Sequence, residues 1–429
     1  MPSARNNYQW LFLEPYVHLA RKKRSSLFYN SLSHKILEFS GQPAVDDLVC
    51  LLERPSNGYV IPVSRRSLQL QEVQSFIRNL RETFMGDLLD TSWSAIRPAN
   101  VFPEPLLRNP IPRAKPAAPP GEDKFDPRNY IREVTFFLNS APSAGLAPFQ
   151  QACRQFSYPA VASAKKQEMD PGVLHRFLLD LKDSKPALLH FAGADLTRYP
   201  ALPELLDLLA TLPFPKKHHL LLRNHQTGII PLLSRQARSA LALYVTFPSH
   251  PTLLNQFLDS VPEAGARKKA EIHFVVSNPE ELQMSLELIQ ICDLKSYFFH
   301  PFYTGSNDSF LKEQVFVSRE EIYASHPTQR QVFSRLSVNE NDFGKFWIKP
   351  SGEVFANLND RRTGNITTDS VARLVLTELE SGKSWSRIRN RVSPCRDCLY
   401  HFLCPPISSL ELFCKRFNFC TVYHDAARS

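Results

Sequence analysis

Apolar positions divide the chain into three regions with different periods. In residues 8–96 the apolar runs are short: YQWLFLEPYVHLA, SSLFYNSL and KILEFS read as strands, Ala44–Leu52 as a helix, and GYVIPVS as a further strand. In QEVQSFIRNLRETFMGDLL, Val73, Phe76, Ile77, Leu80, Phe84, Leu88 and Leu89 keep a 3.6-residue period. That spacing predicts one amphipathic helix from about Leu70 to Leu89. Strands with two or three helices in so short a stretch predict a small winged-helix-like module over residues 1–96.

From EVTFFLN (133–139) onward, apolar runs alternate with helical periods. PALLHFAG, KHHLLLRN, LALYVTF and AEIHFVV are each followed by a helix-like segment, among them IIPLLSRQARSA, PTLLNQFLDSV and NPEELQMSLELIQI. KSYFFHPF precedes a final short helix. Six apolar strands with intervening helices predict parallel βα units over 129–335, an α/β fold in the form of a partial (βα)6 barrel. A ligand of such a barrel belongs at the C-terminal ends of the strands. From Asn339 the pattern changes to a hairpin, KFWIKPSGEVFANL, a helix, DSVARLVLTELESG, and a cysteine-rich end, so residues 336–429 read as a third unit. Between the first two units, residues 97–128 are dense in proline, which forbids helix and sheet interior alike and predicts an extended linker.

Composition adds little until the cysteines are considered. The 43% hydrophobic content supports ordinary cores. The net charge of +9 is diffuse, and its densest run, Arg21-Lys22-Lys23-Arg24, reads as a solvated turn. Nucleic acid is therefore not the expected partner: the helix over Leu70–Leu89 sets Glu72, Glu82 and Asp87 against Arg78 and Arg81. No membrane-spanning run is present in the sequence, and MPSARNNYQWLFLEPY lacks an apolar signal core, so a cytoplasmic location is expected.

Of eight cysteines, Cys395, Cys398, Cys404, Cys414 and Cys420 crowd the C-terminal end. The spacing C-x2-C-x5-C, closed by Cys420 after a proline-containing turn, suits tetrathiolate ligation of a structural zinc or a 4Fe-4S cluster. Disulfides in this pattern belong to small secreted domains, which this chain does not resemble. Cys414 fits no ligand role by spacing; Cys50, Cys153 and Cys292 read as core thiols. From Lys383 onward basic residues, Arg387, Arg389 and Arg396 among them, outnumber acids and would offset thiolate charge. Asp195, His190 and His225 lie near predicted strand ends, where they could face a ligand, although lone histidines there are more often structural. No nucleophilic triad, phosphate-binding glycine loop or paired-carboxylate motif is present.

The segments LEPYVHLARK, LFYNSL, FIRNLRETFMGDLLD and SWSRIRNRVSPCRDCLYHFLCPPISSLE, with the closing NFC, resemble pseudo-radical-SAM SPASM proteins of Bacteroidales-type systems that mature ribosomally synthesised peptides. The resemblance covers nearly the whole chain and implies a PqqD-like recognition module, a degenerate radical-SAM barrel and a SPASM-like domain. A radical-SAM enzyme carries C-x3-C-x2-C after the first barrel strand; here Ser143, Ala147 and Gln150 hold those positions, with Cys153 alone nearby. Gly193-Ala194-Asp195 stands where the family has Gly-Gly-Glu. Of the two auxiliary clusters of a SPASM domain, the first has lost ligands at Asn357 and Ser408, whereas the second keeps Cys395, Cys398, Cys404 and Cys420. The resemblance thus implies a pseudoenzyme with one 4Fe-4S cluster and no S-adenosylmethionine. Its expected partners are a ribosomal precursor peptide, held by residues from about Leu27 to Phe84, and an active radical-SAM maturase. An electron-relay subunit, or an enzyme acting on another ligand, is the alternative.

Overall fold

The computed structural model describes residues 7–94, 96–100, 126–142, 149–222, 233, 238–249, 251–260 and 270–422. The expected linker lies almost wholly outside them.

Glu14 and Pro15 split the first apolar run into two strands that serve different sheets, β1 (Tyr8–Leu13) and β2 (Val17–Lys22). Strand β2 pairs antiparallel with β3 (Ser25–Asn30), which pairs with β4 (Ile36–Ser40). Helix α1 (Pro43–Leu52), strand β5 (Val60–Ser64), a short α2 (Arg65–Leu68) and α3 (Gln71–Glu82) follow. The basic run forms the β2–β3 hairpin turn, with Lys23 at φ 54° and Arg21 bonded to Asp46 at 2.8 and 3.0 Å. Leu11 and Leu13 of β1, Phe28 of β3 and Phe76 and Leu80 of α3 centre a core separate from the barrel's.

The helix expected to reach Leu89 stops at Glu82. Phe84 takes φ 55° and the Met85 N–H closes onto the Leu80 carbonyl at 2.8 Å. Residues Gly86–Leu89 become β6, paired antiparallel with β1, so that β1 lies between β5 and β6. Gly86 makes this possible: a Cβ there would meet the Phe12 carbonyl oxygen at 2.2 Å. Burying Leu88 against the module's core in β6 prevails over a periodicity that would have left the strand β1 with a bare edge.

The second region forms parallel strands in chain order: β7 (Glu133–Phe137), then, beyond a small β8 (Ser140–Pro142) and β9 (Val161–Ser163) pair, β10 (Leu188–Ala192), β11 (Lys216–Leu221), β12 (Ser239–Val245), β13 (Ala270–Val276) and β14 (Tyr297–Pro301). Helices α4 (Pro171–Leu181), α5 (Leu202–Thr211), α6 (Pro251–Ser260) and α7 (Pro279–Ile291) connect them. Most of the helix expected in IIPLLSRQARSA lies outside the described residues, and β12 already begins at Ser239. One face of each strand (Val134 and Phe136, Leu189 and Phe191, Leu241 and Leu243) packs on the helices. The other face looks inward.

Among the described residues the sheet stays open at β14. At the opposite edge β15 (Lys345–Ile348) joins β7 in parallel, followed by antiparallel β16 (Glu353–Phe355) and β17 (Gly364–Asn365). The expected hairpin therefore extends the barrel's sheet, and one apolar core runs from Ile131 to Trp385. Between β14 and β15 stand three helices, α8 (Asp308–Gln314), α9 (Arg319–Ala324) and α10 (Gln329–Ser337), where one was expected. Capping boxes at Ser318 and Glu321, and at Thr328 and Gln331, divide that segment. Helices α11 (Val371–Ser381) and α12 (Ser409–Cys414) flank the cysteine turns. No helix among the described residues is long and apolar enough to cross a membrane.

Candidate functional site

Local turns bring the four predicted ligands around one pocket. Cys395 opens a 3-10 turn in which the Cys398 N–H donates to the Cys395 carbonyl at 3.0 Å. A second turn places Cys404, whose N–H donates to the Tyr400 carbonyl at 3.0 Å. Helix α12 carries the chain away, Lys415 reverses it at φ 53°, and the return segment is pinned beside Val317, whose N–H donates to Phe419 O at 3.0 Å. Cys420 is thereby placed opposite the two turns. All four thiols line the same pocket, with Arg389, His401 and Phe417 completing its wall.

The pocket is lined mostly by apolar side chains and sulfur. Burial pushes the thiols of Cys395 and Cys404 up, and that of Cys398 to about 11. The Cys395 thiol donates to the Phe417 carbonyl at 2.9 Å. Among the described residues, no three His, Cys, Asp or Glu side chains converge closely enough to hold a single metal ion. Cys414 lies elsewhere, packed near Leu311, Leu410 and Phe419, and burial raises its thiol to about 11.

The inward face of the parallel sheet contrasts with this. Ser143 and Ala147 lie outside the described residues, and Gln150 is exposed. Beyond them the loop folds inward: Ala152, Tyr158 and Ala160 are buried against Ala194, Tyr244 and Phe302. Cys153 packs by Phe137, Val161 and Ala192, and desolvation lifts its thiol to about 11. Gly193 sits so near the Asn139 amide that a Cβ would meet Oδ1 at 2.6 Å. Asn139 donates to the Asp195 carbonyl at 2.5 Å and accepts from its N–H at 3.1 Å. The Asp195 carboxylate accepts from the Thr197 N–H and hydroxyl at 3.1 and 2.5 Å and pairs with Arg198 at 3.2 Å. This carboxylate caps a turn.

His190 is a mid-strand residue rather than a strand-end one, and His225 lies outside the described residues. His190 belongs to a row of inward-facing groups that the sequence reading missed. The Glu133 carboxylate lies 3.5 Å from His190 Nε2, His190 Nδ1 lies 2.8 Å from His219 Nε2, and His219 Nδ1 lies 3.2 Å from the Tyr244 hydroxyl. A second row runs from Glu271 to His273 Nε2 at 3.2 Å and from His273 Nδ1 to His300 Nε2 at 2.8 Å. Lysines anchor both carboxylates: Lys345 on Glu133 at 3.3 Å and Lys217 on Glu271 at 2.9 Å. The His190 hydrogen bond holds Glu133 down to about 2, while burial holds His273 near 4 and His300 near 3. Glu133, His190, His300, Arg154, Lys345 and Trp347 border a cavity of about 280 Å³. The missed signal was a register: histidines at inward positions of neighbouring strands.

At Asn357 and Ser408, where the resemblance would place ligands of a first auxiliary cluster, polar side chains bond to their neighbours. Asn357 donates to Asp342 at 2.9 Å and to the Ser409 hydroxyl at 3.1 Å; Asn339 also donates to Asp342, at 2.9 Å. Burial raises Asp342 to about 7. Ser408 caps α12.

No protein-family model matches the chain, and no curated protein matches it. Among solved structures it is similar to Streptococcus suis SuiB, with a TM-score of 0.43 and 10% identity over 92% of this chain and 94% of that one. SuiB bound to precursor peptide SuiA gives a TM-score of 0.46 at 10% identity, with the same coverage of both chains. BtrN in complex with AdoMet and 2-DOIA gives 0.29 at 13% identity, over 59% of this chain and 83% of that one.

Proposed function

We propose that this chain is a non-catalytic, pseudo-radical-SAM partner in the maturation of a ribosomally synthesised peptide. It holds one 4Fe-4S cluster on Cys395, Cys398, Cys404 and Cys420 and binds a precursor peptide, an active radical-SAM maturase, or both. The observation that carries this reading is the contrast between the two ends of the molecule. Four thiols meet at one pocket beyond the hairpin, while the positions that would have to ligate a radical-generating cluster hold Ser143, Ala147 and Gln150, and the segment that follows them packs Ala152, Tyr158 and Ala160 against Ala194, Tyr244 and Phe302. A cluster without an open iron gives no purchase for S-adenosylmethionine, so the surviving site serves structure or electron storage. Residues 1–96 supply strand edges beside α3, the geometry in which an extended leader peptide adds to a sheet. A reducing, cytoplasmic setting would keep the thiols available.

Four thiols accept either zinc or a cubane; the cubane is favoured because Cys395, Cys398, Cys404 and Cys420 stand where the resembled proteins hold their second auxiliary cluster. Anaerobic purification of the full chain should yield about four irons and four sulfides per chain, the composition of one such cluster, with little zinc. Stoichiometric zinc without sulfide would replace the cluster by a structural ion. Incubated with reductant and S-adenosylmethionine, the pure protein should form no 5′-deoxyadenosine; its formation would overturn the pseudoenzyme reading. Pull-down with tagged full chain should retain precursor peptide or maturase, and retention of neither would remove the partner role.

A second reading, electron relay, is favoured by one feature: Cys420 is only half-buried, which would bring one edge of a cluster near the surface. It requires that reducing the cluster speeds the maturase's turnover.

A further inference from the structure

Arg389 reaches every segment that bears a predicted ligand. Its Nη1 lies 3.6 Å from Cys395 Sγ, the first turn, and donates to Phe417 O at 2.9 Å, in the return segment before Cys420. Its Nε donates to the carbonyl of Pro405, the residue after Cys404, at 2.5 Å, and Nη2 reaches Pro406 O at 3.4 Å. The fork also pairs with both oxygens of Glu411, at 3.0 and 3.1 Å. Both side chains are buried, with 12% and 4% of their surface exposed. One planar cation thus holds three chain segments in register beside the sulfurs, which a point-charge ammonium could not do.

We propose that Arg389 is the positioning residue of the four-thiol site, and that the Arg389–Glu411 pair sets the electrostatic potential its occupant feels. The inference rests on the reading that these thiols hold an iron–sulfur cluster. Four thiolates around a cubane leave a net negative charge, which grows by one when the cluster accepts an electron. A fixed cation at 3.6 Å from a ligand sulfur favours the reduced form, and its carboxylate partner moderates that pull. Glu411 is also the third residue of the α12 capping box, accepting from the Ser408 N–H at 2.9 Å and from its hydroxyl at 3.1 Å. The helix that carries the chain from Cys404 toward Cys420 is therefore fixed by the acid that fixes the arginine.

The test uses the full chain, purified anaerobically and titrated with dithionite as the electron donor. Arg389→Gln removes the charge and the fork. It should move the cluster's midpoint potential to a more negative value, and it should speed cluster loss to an iron chelator by about tenfold, the usual size of an outer-ligand effect. Glu411→Gln keeps an acceptor for the capping box but leaves the arginine unbalanced, so its midpoint should move the opposite way. Arg389→Lys retains charge without the fork: the potential stays near that of the native protein while chelator resistance falls. Opposite shifts from the two members of one pair are something a merely structural role would not produce. Should Arg389→Gln fail to fold, the Glu411→Gln and Arg389→Lys potentials still decide. Unchanged potentials and chelator resistance in variants that load fully would overturn the inference. A native chain that takes up no iron and sulfide would instead overturn the cluster itself.

Discussion

Cys398 is the residue at which the proposed site is most exposed to test. Its thiol is raised to about 11 by burial, so ionising it without a neighbouring cation is costly, and a bound metal would supply the compensation. Cys398→Ala should lose most of the bound iron and lower the melting temperature, whereas Cys414→Ala, outside the pocket, should keep its iron. Full metal content in the first variant, by elemental analysis, would mean that the ligands are wrongly assigned. Buried titratable groups elsewhere make stability depend on pH in two opposed ways. Burial holds His18, His218, His273 and His401 near 4, His300 near 3, and His219 well below its ordinary 6.5. Between those values and 6.5 the unfolded chain binds protons that the folded one refuses, so stability falls as pH drops from about 6.5 toward 4. Asp342 and Glu378 do the reverse: burial raises both to about 7, the folded state keeps protons that the unfolded chain releases, and stability falls as pH climbs from about 4 to 7. Six imidazoles outweigh two carboxyls. The melting temperature should therefore rise from pH 4.5 to 6.5 and decline slightly to pH 7.5, and Glu378→Gln should remove part of that decline. A flat profile by circular dichroism below pH 6.5 would show that the imidazoles are not held neutral.

At the scale of elements, the strand β6 depends on a single missing side chain. A Cβ at residue 86 would stand 2.2 Å from the Phe12 oxygen, backbone that cannot yield without breaking the β1–β6 pairing. Gly86→Ala should cost about 2 kcal/mol or more in urea unfolding, and a cost near zero would mean that β6 is not paired as described. This element was also illegible in the sequence, and for a definite reason. Phe84, Leu88 and Leu89 continue the period of α3, so nothing local announces the end of the helix; the decision lies with the open edge of β1, a long-range partner. The parallel strands were legible because burial on both faces makes continuous apolar runs, and the four cysteines of the pocket because thiol spacing along two turns is local. The row from Glu133 through His190 and His219 to Tyr244 was not, since inter-strand register alone aligns those residues. Asp195 is legible as a carboxylate near a strand end that could face a ligand, but its use as a turn cap depends on Thr197 and Arg198, which carry no signature of their own.

Across the whole molecule, the N-terminal sheet rests on the cysteine-rich end, far away in sequence. Ala20, Leu27 and Tyr29 of β2 and β3 pack with Ile322, Val332, Phe402 and Leu403. The Tyr29 hydroxyl donates to Pro327 O at 2.7 Å. Glu38 on β4 accepts from the Tyr400 hydroxyl at 2.8 Å and also bonds Tyr323 and Arg319. Tyr400 stands between Cys398 and Cys404, so the turn that presents two thiols of the pocket also grips a strand of the proposed peptide-recognition module. Occupancy of the thiol pocket and order in β4 must then be linked, because each fixes the same turn. Stripping the metal with a chelator should raise hydrogen exchange at residues 36–40 and 319–324 along with 395–404. Tyr400→Phe should cost about 1.5 kcal/mol through the lost charge-assisted bond and speed exchange in β4, while iron content stays native, since no ligand is touched. If chelation opens 395–404 and leaves 36–40 as protected as before, the two ends are merely adjacent. If they open together, a peptide held on the N-terminal sheet and a cluster held at the far end of the sequence report on one another through Glu38 and Tyr400, and a partner that reads one reads both.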